Sequence, residues 1–144
     1  MAEIGNRVAA GADTTSVALK AVLGPILHNR ARYQRLRAEL GDGVSSSKES
    51  TFTYSAVKGL PFITACIKEG FRMHSSIVYQ LPRQAPAEGI SFDGHFLPPN
   101  ATISMSALDR NRCQTISGTD TDTWRQERWL GVKGSSEDEV NLME

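Results

Sequence analysis

A long amphipathic pattern opens the chain and constrains its fold more than any other feature. Apolar residues recur there at spacings of three and four, as on one face of an α-helix. They are Ile4, Val8, Ala12, Leu19, Val22, Leu23, Ile26 and Leu27. The pattern predicts a helix over residues 3–28, bent near its end where Gly24-Pro25 interrupts the backbone hydrogen bonds. We therefore expect a fold organised around one long helix.

The middle of this predicted helix contains residues that weaken helices. The stretch "AGADTT" includes Gly11, Thr14 and Thr15, and a mid-helix Gly is about 1 kcal/mol less favourable than Ala. Another backbone packing closely on Gly11, with the threonine hydroxyls bonded to carbonyls of the preceding turn, is one explanation. A functional site in the helix is the alternative. The stretch alone favours the packing explanation.

Composition and charge argue against several classes of protein. Sixteen Lys and Arg residues balance sixteen Asp and Glu residues, so no net field attracts nucleic acid or an anionic membrane. No segment is long and apolar enough to predict a membrane span, and Glu3 and Arg7 stand where a signal peptide is apolar. Cys66 and Cys113 form neither a disulfide framework nor a metal pair. We expect a soluble chain with free thiols and no nucleic-acid partner.

The segment after the long helix predicts a second, shorter helix. Over residues 30–41, apolar residues share one face and arginines occupy the others, which is typical of a surface helix. Asn29 is a candidate cap, and Gly41 is positioned to end the helix. The Ser-rich stretch that follows, over 42–53, has no periodicity and predicts a mobile loop.

The remaining segments predict one more helix, then strands and coil. A helix over 61–74 begins at a proline, which suits a first turn. Extended segments are expected over 77–105, with a hairpin turn at Asp93-Gly94. Residues 109–144 have no regular pattern and end in an acidic run. Helices followed by short strands predict a mainly α fold with a small β component.

The helix over 61–74 carries an ion pair on an apolar background. Glu69 and Arg72, in "EGFR", are three residues apart and share a face. Most such pairs are exposed and contribute a few tenths of a kcal/mol. A pair buried among apolar residues needs further partners. The later stretch "RQERWL" supplies candidates in Glu127 and Arg128, beside Trp129.

Five short motifs occur in an order and at spacings that resemble one family. They are "AGADTT" in the first helix, "EGFR" in a later helix, then "LPR", "LPPNAT" and "WRQERWL". Together they resemble the C-terminal half of a cytochrome P-450, a haem-thiolate monooxygenase, in the style of the filamentous-fungal enzymes. The resemblance implies a partial cytochrome P-450 fold over residues 1–144. Its parts would be a long central helix, a following surface helix, an ExxR helix, a β-hairpin region and a meander over 109–144.

The resemblance implies a role in oxygen activation for the middle of the first helix. Ala10 and Gly11 would leave an oxygen-binding groove, and Asp13 with Thr14 would act in catalysis by delivering protons. A helix opened locally by Gly and Thr would suit such a site, because distortions of a helical ladder often mark function.

The resemblance also assigns residues outside the first helix. Glu69, Arg72 and Arg128 would form a structural triad behind the haem. Arg83, in "LPR", would bind the cofactor by pairing with a haem propionate, which suits the fork geometry of a guanidinium. The substrate pocket would be lined by Ile77, Val78 and Tyr79.

The sequence departs from the family pattern in several places. Gln126 and Ser75 stand where a proline is usual or common, and Asn100 replaces a glycine. The iron-ligand loop of the family, of the type F-x-x-G-x-R-x-C-x-G after the "ERW" motif, does not occur in the 144 residues. Cys66 lies on a predicted helix face and Cys113 precedes that motif, so neither is a plausible substitute. We expect DNA downstream of the Glu144 codon to encode the loop.

Other site chemistries have weaker sequence support. His28, His74 and His95 lack partners at metal-binding spacing. Asp120 and Asp122 lack the pattern of a calcium loop, so a solvated turn is the better interpretation. We therefore expect no metal site formed by side chains of this chain.

The resemblance implies a complete enzyme that hydroxylates or dealkylates a small organic substrate. It would use haem b, dioxygen and electrons from an NADPH-dependent reductase, and full-length fungal members are usually anchored in the endoplasmic reticulum membrane. We expect the chain to be inactive alone. The alternatives are a catalytically dead truncated product that acts at most as a binding or regulatory module, and a small helical interaction domain unrelated to the family.

Overall fold

The computed structural model describes residues 2–45 and 53–131. The helices are α1 (Ala2–Leu27), α2 (Arg30–Ser45), α3 (Tyr54–Val57), α4 (Pro61–Met73), α5 (Ala107–Asn111) and α6 (Gln114–Ser117). The strands are β1 (Arg83–Gln84), β2 (Ile90–Phe92), β3 (His95–Leu97) and β4 (Thr102–Ile103), and a 3₁₀ turn covers Gln126–Trp129. The mainly α fold with a small β component is therefore confirmed. In these ranges no helix has the length and apolar character needed to span a membrane.

The first helix, α1, remains helical across its central Gly and Thr residues. A Cβ atom built on Gly11 would meet nothing within 4 Å apart from its own stretch of helix, so no other described residue packs closely on Gly11. The Thr14 hydroxyl donates to the Ala10 carbonyl at 2.7 Å, which satisfies it within the preceding turn. The helix is thus not opened locally at these residues, and Gly11 has no packing role among the described residues.

The second helix, α2, is longer than the sequence pattern predicts. Asn29 caps its start, because the Asn29 side-chain oxygen accepts from the Arg32 backbone N–H at 3.0 Å. Gly41 lies inside the helix and does not end it. Its φ is not positive, and a glycine ends a helix through a left-handed φ. The loop expected over 42–53 therefore overlaps the end of α2, and residues 46–52 lie outside the described part.

Glu39 of α2 caps the N-terminus of α4. Its two carboxylate oxygens accept from the backbone N–H groups of Phe62 and Ile63 at 2.8 and 2.9 Å. Pro61 is the first residue of α4 and has no N–H, so these two groups are the first orphan donors of the helix. A carboxylate is favourable here because the helix dipole is positive at this end. This contact fixes α2 against α4.

The helices α1 and α4 pack closely at Gly70. A Cβ atom on Gly70 would lie 2.6 Å from Val22 Cγ2 and 3.3 Å from the Ala21 carbonyl oxygen. Only glycine allows this approach without a shift of the backbone. The core lies beside this contact; it consists of Ile26, Phe62 and Cys66, with Val22, Leu36 and Leu130 packed against it.

The strands form two small antiparallel sheets. β1 pairs with β4, and β2 pairs with β3 as a hairpin in the register Ile90↔Leu97. Asp93 and Gly94 connect this hairpin with φ values of 48° and 76°, as its two-residue turn requires. Asn100, where the family resemblance places glycine, has a φ of 63°. Asparagine tolerates this left-handed conformation better than most residues, so the replacement preserves the turn.

Candidate functional site

Glu69, Arg72 and Arg128 meet in one buried cluster. Their exposed fractions are 0%, 4% and 2%. Arg72 donates from Nε to Glu69 Oε2 and from Nη2 to Glu69 Oε1, both at 2.9 Å, which is a bidentate pair. Arg128 Nε donates to Glu69 Oε1 at 3.2 Å. The 3₁₀ turn therefore brings Arg128 onto the buried pair of α4.

Two more donors complete the environment of Glu69. The Arg125 backbone N–H donates to Oε1 at 2.7 Å, and the Trp129 indole N–H donates to Oε2 at 2.9 Å. Burial by itself raises the pKa of Glu69, but the hydrogen bonds from Arg72, the Arg125 backbone and Trp129 outweigh it, so the pKa is lowered. Glu69 is thus held as a carboxylate with five donors.

The two arginines of this cluster also bind the backbone of the preceding loop. Arg72 donates to the Thr121 carbonyl at 2.7 Å. Arg128 donates to the Ser117 carbonyl, and its Nη2 lies 3.3 Å from Asp120 Oδ1. Every buried side-chain polar atom in the described ranges has a hydrogen-bond partner. The cluster therefore holds this loop against α4, and Asp120 serves it as a further carboxylate.

The four residues assigned to oxygen activation lie together on α1. Ala10, Gly11, Asp13 and Thr14 are all exposed, and their spacings of three and four place them on one face of the helix. Thr14 is also linked to the chain beyond α4, because the Ser76 hydroxyl donates to the Thr14 carbonyl at 3.1 Å. This face of α1 is therefore accessible and lies beside the segment that starts at Ser76.

The residues assigned to the substrate pocket follow directly after Ser76. Ile77, Val78 and Tyr79 are exposed, by 43%, 49% and 78%. The Ser76 contact brings this apolar segment beside Thr14, in the middle of α1. Arg83 lies in β1, is exposed, and donates to the Pro82 carbonyl at 3.1 Å.

The two cysteines differ in environment. Cys66 is fully buried against Ile26 and Phe62, and burial raises the pKa of its thiol to about 11. Cys113 lies at the start of α6, where the Thr115 hydroxyl and backbone lower the pKa of its thiol. A haem-binding thiolate must be deprotonated, which the raised pKa opposes for Cys66. The Cys113 thiol lies 2.9 Å from the Thr115 hydroxyl, with which it forms a hydrogen bond.

Arg83 and the face of α1 around Gly11 are the described features that the family resemblance assigns to haem binding and oxygen activation. The exposed guanidinium of Arg83 has the geometry to pair with a carboxylate. The face of α1 around Gly11 has open space next to the backbone. Within residues 2–45 and 53–131, no group of three His, Cys, Asp or Glu side chains is placed to hold a metal ion.

Comparison with known proteins identifies the family. The family model of cytochrome P450 matches residues 1–143. The chain belongs to the cytochrome P450 family. This P450 chain is 36% identical over 133 residues to the cytochrome P450 monooxygenase gsfF of Penicillium aethiopicum, a match that covers 92% of the chain and 26% of the relative.

Other relatives and a solved structure agree with this assignment. A P450 monooxygenase of Aspergillus flavus is 39% identical over 127 residues, covering 87% of the chain and 25% of the relative. Pisatin demethylase of Fusarium vanettenii is 33% identical over 132 residues, covering 92% and 26%. The P450 chain thus spans about a quarter of the length of these relatives.

A zebrafish cytochrome P450 solved with progesterone shows the fold. It matches with a TM-score of 0.69 and 23% identity, over 88% of this chain and 29% of the zebrafish chain. The partial P450 fold expected from the five motifs is therefore confirmed.

Sequence reasoning missed part of the environment of Glu69. The contact of Trp129 could have been predicted, because a buried indole N–H usually has a hydrogen-bond partner. The contact of the Arg125 backbone N–H could not, since every residue except proline supplies that group. The charge partner Asp120 was considered only as a calcium ligand, whereas its carboxylate contacts Arg125 and Arg128.

Proposed function

We propose that this chain carries the oxygen-activation helix, the structural triad and part of the substrate pocket of a haem-dependent monooxygenase. The observation that carries the proposal is the accessible face of α1. Asp13 and Thr14 share it with the open backbone at Gly11. The Ser76 contact to Thr14 places the apolar segment beginning at Ile77 beside it. A proton-donating face and an apolar segment are thus adjacent.

Haem b, when bound, supplies the iron at which dioxygen is activated. Arg83 would hold a propionate through a charge-assisted hydrogen bond. Ala10 and Gly11 would leave space for dioxygen, since no described atom outside the adjacent helix backbone comes within 4 Å of a Cβ built on Gly11. The family resemblance puts the cysteine that would hold the iron in a loop after the "ERW" motif, so we expect neither Cys66 nor Cys113 to supply it.

Asp13 and Thr14 would move protons into the site. The Thr14 hydroxyl donates to the Ala10 carbonyl at 2.7 Å, and rotation about χ1 would turn the same proton toward the open face. The exposed Asp13 carboxylate, one residue before it, would take a proton from solvent and pass it to Thr14 Oγ1. The Glu69 triad would support this helix from behind by holding α4 in place.

The complete enzyme would hydroxylate or dealkylate a small organic substrate. Ile77, Val78 and Tyr79 would contact it through apolar surface, and an NADPH-dependent reductase would deliver the electrons. Dealkylation is supported by the name of one relative, pisatin demethylase of Fusarium vanettenii. Full-length fungal members of the family are usually anchored in the endoplasmic reticulum membrane, and we propose the same location for the complete enzyme.

A chimera tests the proposal. The present residues replace the matching part of the Penicillium aethiopicum P450, and the reduced carbon monoxide spectrum confirms that haem is bound. Thr14→Ala should leave substrate binding nearly unchanged but lower the product formed per NADPH consumed, with hydrogen peroxide rising instead. Thr15→Ala is the matched control, because Thr15 follows Thr14 in α1 but lines an apolar groove between α1 and α4 that also includes Leu19 and Phe71. An unchanged ratio in Thr14→Ala removes Thr14 from the mechanism.

A further inference from the structure

Arg32, near the start of α2, joins three parts of the chain. Its Nε donates to Gln126 Oε1 at 3.0 Å. Its Nη1 donates to the Pro25 carbonyl at 3.2 Å and its Nη2 to the Trp124 carbonyl at 3.3 Å. The guanidinium also lies 5.7 Å from the centre of the Trp124 ring. All three acceptors are neutral, so these bonds depend on the planar arrangement of the guanidinium donors as well as on the positive charge.

Gln126 is the side chain that makes this arrangement possible. It is 5% exposed, and its Oε1 accepts from the Trp124 indole N–H at 3.0 Å as well as from Arg32. Its Nε2 donates to Glu127 Oε1 at 2.7 Å. The family resemblance places a proline at this position, and a proline side chain makes none of these three bonds. The departure at Gln126 therefore creates a second polar cluster.

The contact to Pro25 acts on the end of α1. The last carbonyls of a helix lack partners within the helix, and the Asn29 backbone N–H bonds to the Ile26 carbonyl rather than to that of Pro25. The last turn of α1 contains no basic residue. Arg32 supplies both the missing donor and a positive charge at this negative end of the helix dipole.

We propose that Arg32, Trp124 and Gln126, here named the Arg32 cluster, fix the end of α1, and that Arg32 is a positioning residue for Asp13 and Thr14. The close contact of Val22 with Gly70 serves as a pivot. Pro25 lies about 4.5 Å beyond Val22 along the helix axis, and Thr14 lies about 12 Å on the other side. A shift of about 1 Å at Pro25 thus moves Thr14 by about 2.7 Å.

A displacement of this size matters for proton delivery. A misplacement of about 1 Å in a catalytic group can cost about a hundredfold in rate. The positioning role rests on the proposed function of α1, whereas the cluster itself rests only on the contacts of Arg32 and Gln126.

Nitrogen-15 NMR of the tryptophan indoles tests the cluster in the 144-residue chain. The chain has two tryptophans, Trp124 in the Arg32 cluster and Trp129 bonded to Glu69. Gln126→Ala should raise hydrogen exchange of the Trp124 indole N–H about tenfold and leave that of Trp129 within about twofold. Trp129 thus reports whether the variant is folded. A rise of the same size at both indoles overturns the proposal of a separate cluster.

Arg32→Lys tests the role of the guanidinium fork. Lysine keeps the charge but cannot reach three acceptors in one plane, so exchange at Trp124 should rise here too. Arg30→Lys is the matched control, because Arg30 is an exposed residue of the same helix. An unchanged Trp124 exchange rate in Arg32→Lys removes Arg32 from the cluster.

The positioning role has a separate readout. In the chimera, Arg32→Lys should raise peroxide per NADPH consumed, in the direction expected for Thr14→Ala, and Arg30→Lys should not. If Arg32→Lys changes the Trp124 signal without changing this ratio, the positioning role is refuted and the monooxygenase function is untouched. If Thr14→Ala also leaves the ratio unchanged, the proposed function of α1 fails instead.

Discussion

Replacing Glu69 with glutamine removes the charge that two buried arginines share while keeping the size of the side chain. Oε1 accepts from the Arg125 backbone, Arg72 and Arg128, and Oε2 accepts from Arg72 and Trp129. In either orientation, the NH₂ group of the introduced amide faces at least two donors and accepts from neither. Arg72 and Arg128 would then be buried with no carboxylate between them.

The expected cost is large relative to the stability of a domain. Breaking a buried ion pair by removing one partner costs about 3–5 kcal/mol, and total stability is about 5–15 kcal/mol. We therefore expect Glu69→Gln to lower the free energy of unfolding by about 3–5 kcal/mol, or to leave the chain unfolded without denaturant. Urea titration followed by tryptophan fluorescence measures the change. Glu88→Gln makes the same substitution at an exposed site and should change stability by less than about 0.5 kcal/mol.

The pH dependence of stability gives an independent check. Because the pKa of Glu69 is lowered in the folded chain, its contribution is fully present above the ordinary pKa of a glutamate. It is lost as the pH falls through the lowered folded value. The wild-type chain should therefore lose stability in acid more steeply than Glu69→Gln does. A loss below about 1 kcal/mol in Glu69→Gln, with an unchanged acid profile, would refute the reasoning about a buried carboxylate with five donors.

Three further predictions concern the packing of the helices and the thiols. Glu39→Gln weakens the cap on α4 and should lower the free energy of unfolding by about 1 kcal/mol in urea titration; no change would mean that the cap does not stabilise α4. Gly70→Ala should lower the free energy of unfolding by about 1–3 kcal/mol, because the added methyl group overpacks against α1. Gly11→Ala should instead raise it by up to about 1 kcal/mol. Equal effects of the two substitutions would contradict the packing described. At neutral pH, Cys113 should react with a thiol reagent in the folded chain and Cys66 only on unfolding, which mass spectrometry of the labelled peptides measures.

The sequence predicted the elements whose cause is local. The hairpin turn depends on Asp93 and Gly94 themselves, which reach positive φ at little cost. The long helix follows from the repeat of its own apolar residues. The prediction that Gly41 ends α2 was wrong. Whether such a glycine takes a helical or a left-handed φ depends on the contacts made by the residues that follow it. That information is not present in the local pattern.

Two glycines show the same limit within helices. The sequence pattern favoured close packing at Gly11, yet a Cβ atom there would meet no other described residue within 4 Å. Gly70, between the two residues of the predicted ion pair, received no packing role, yet it is the point where α4 touches Val22. Both residues are glycines in apolar helices. Only the crossing of the two helices distinguishes them, and crossing geometry depends on residues far apart in the chain.

The candidate site shows how much a motif can predict. Glu69, Arg72 and Arg128 were brought together by resemblance of their motifs, and the structure places them in one cluster. Gln126 and Arg32 are 94 residues apart, and neither belongs to a motif that pairs them. The sequence showed that Gln126 departs from the family pattern, but only the structure shows that its partner is Arg32.

The 3₁₀ turn Gln126–Trp129 connects the two polar clusters through side chains within four residues of each other. Gln126 bonds to Arg32 of α2, and Arg128 and Trp129 bond to Glu69 of α4. In a 3₁₀ turn, side chains one or two residues apart point in different directions, so one short turn reaches two helices. Arg32 of α2 also bonds to the Pro25 carbonyl at the end of α1. The turn therefore helps to fix the position of α1 relative to α4 through contacts that lie outside the apolar core. The packing of α1 against α4 therefore depends on these two sets of hydrogen bonds as well as on the close contact of Val22 with Gly70.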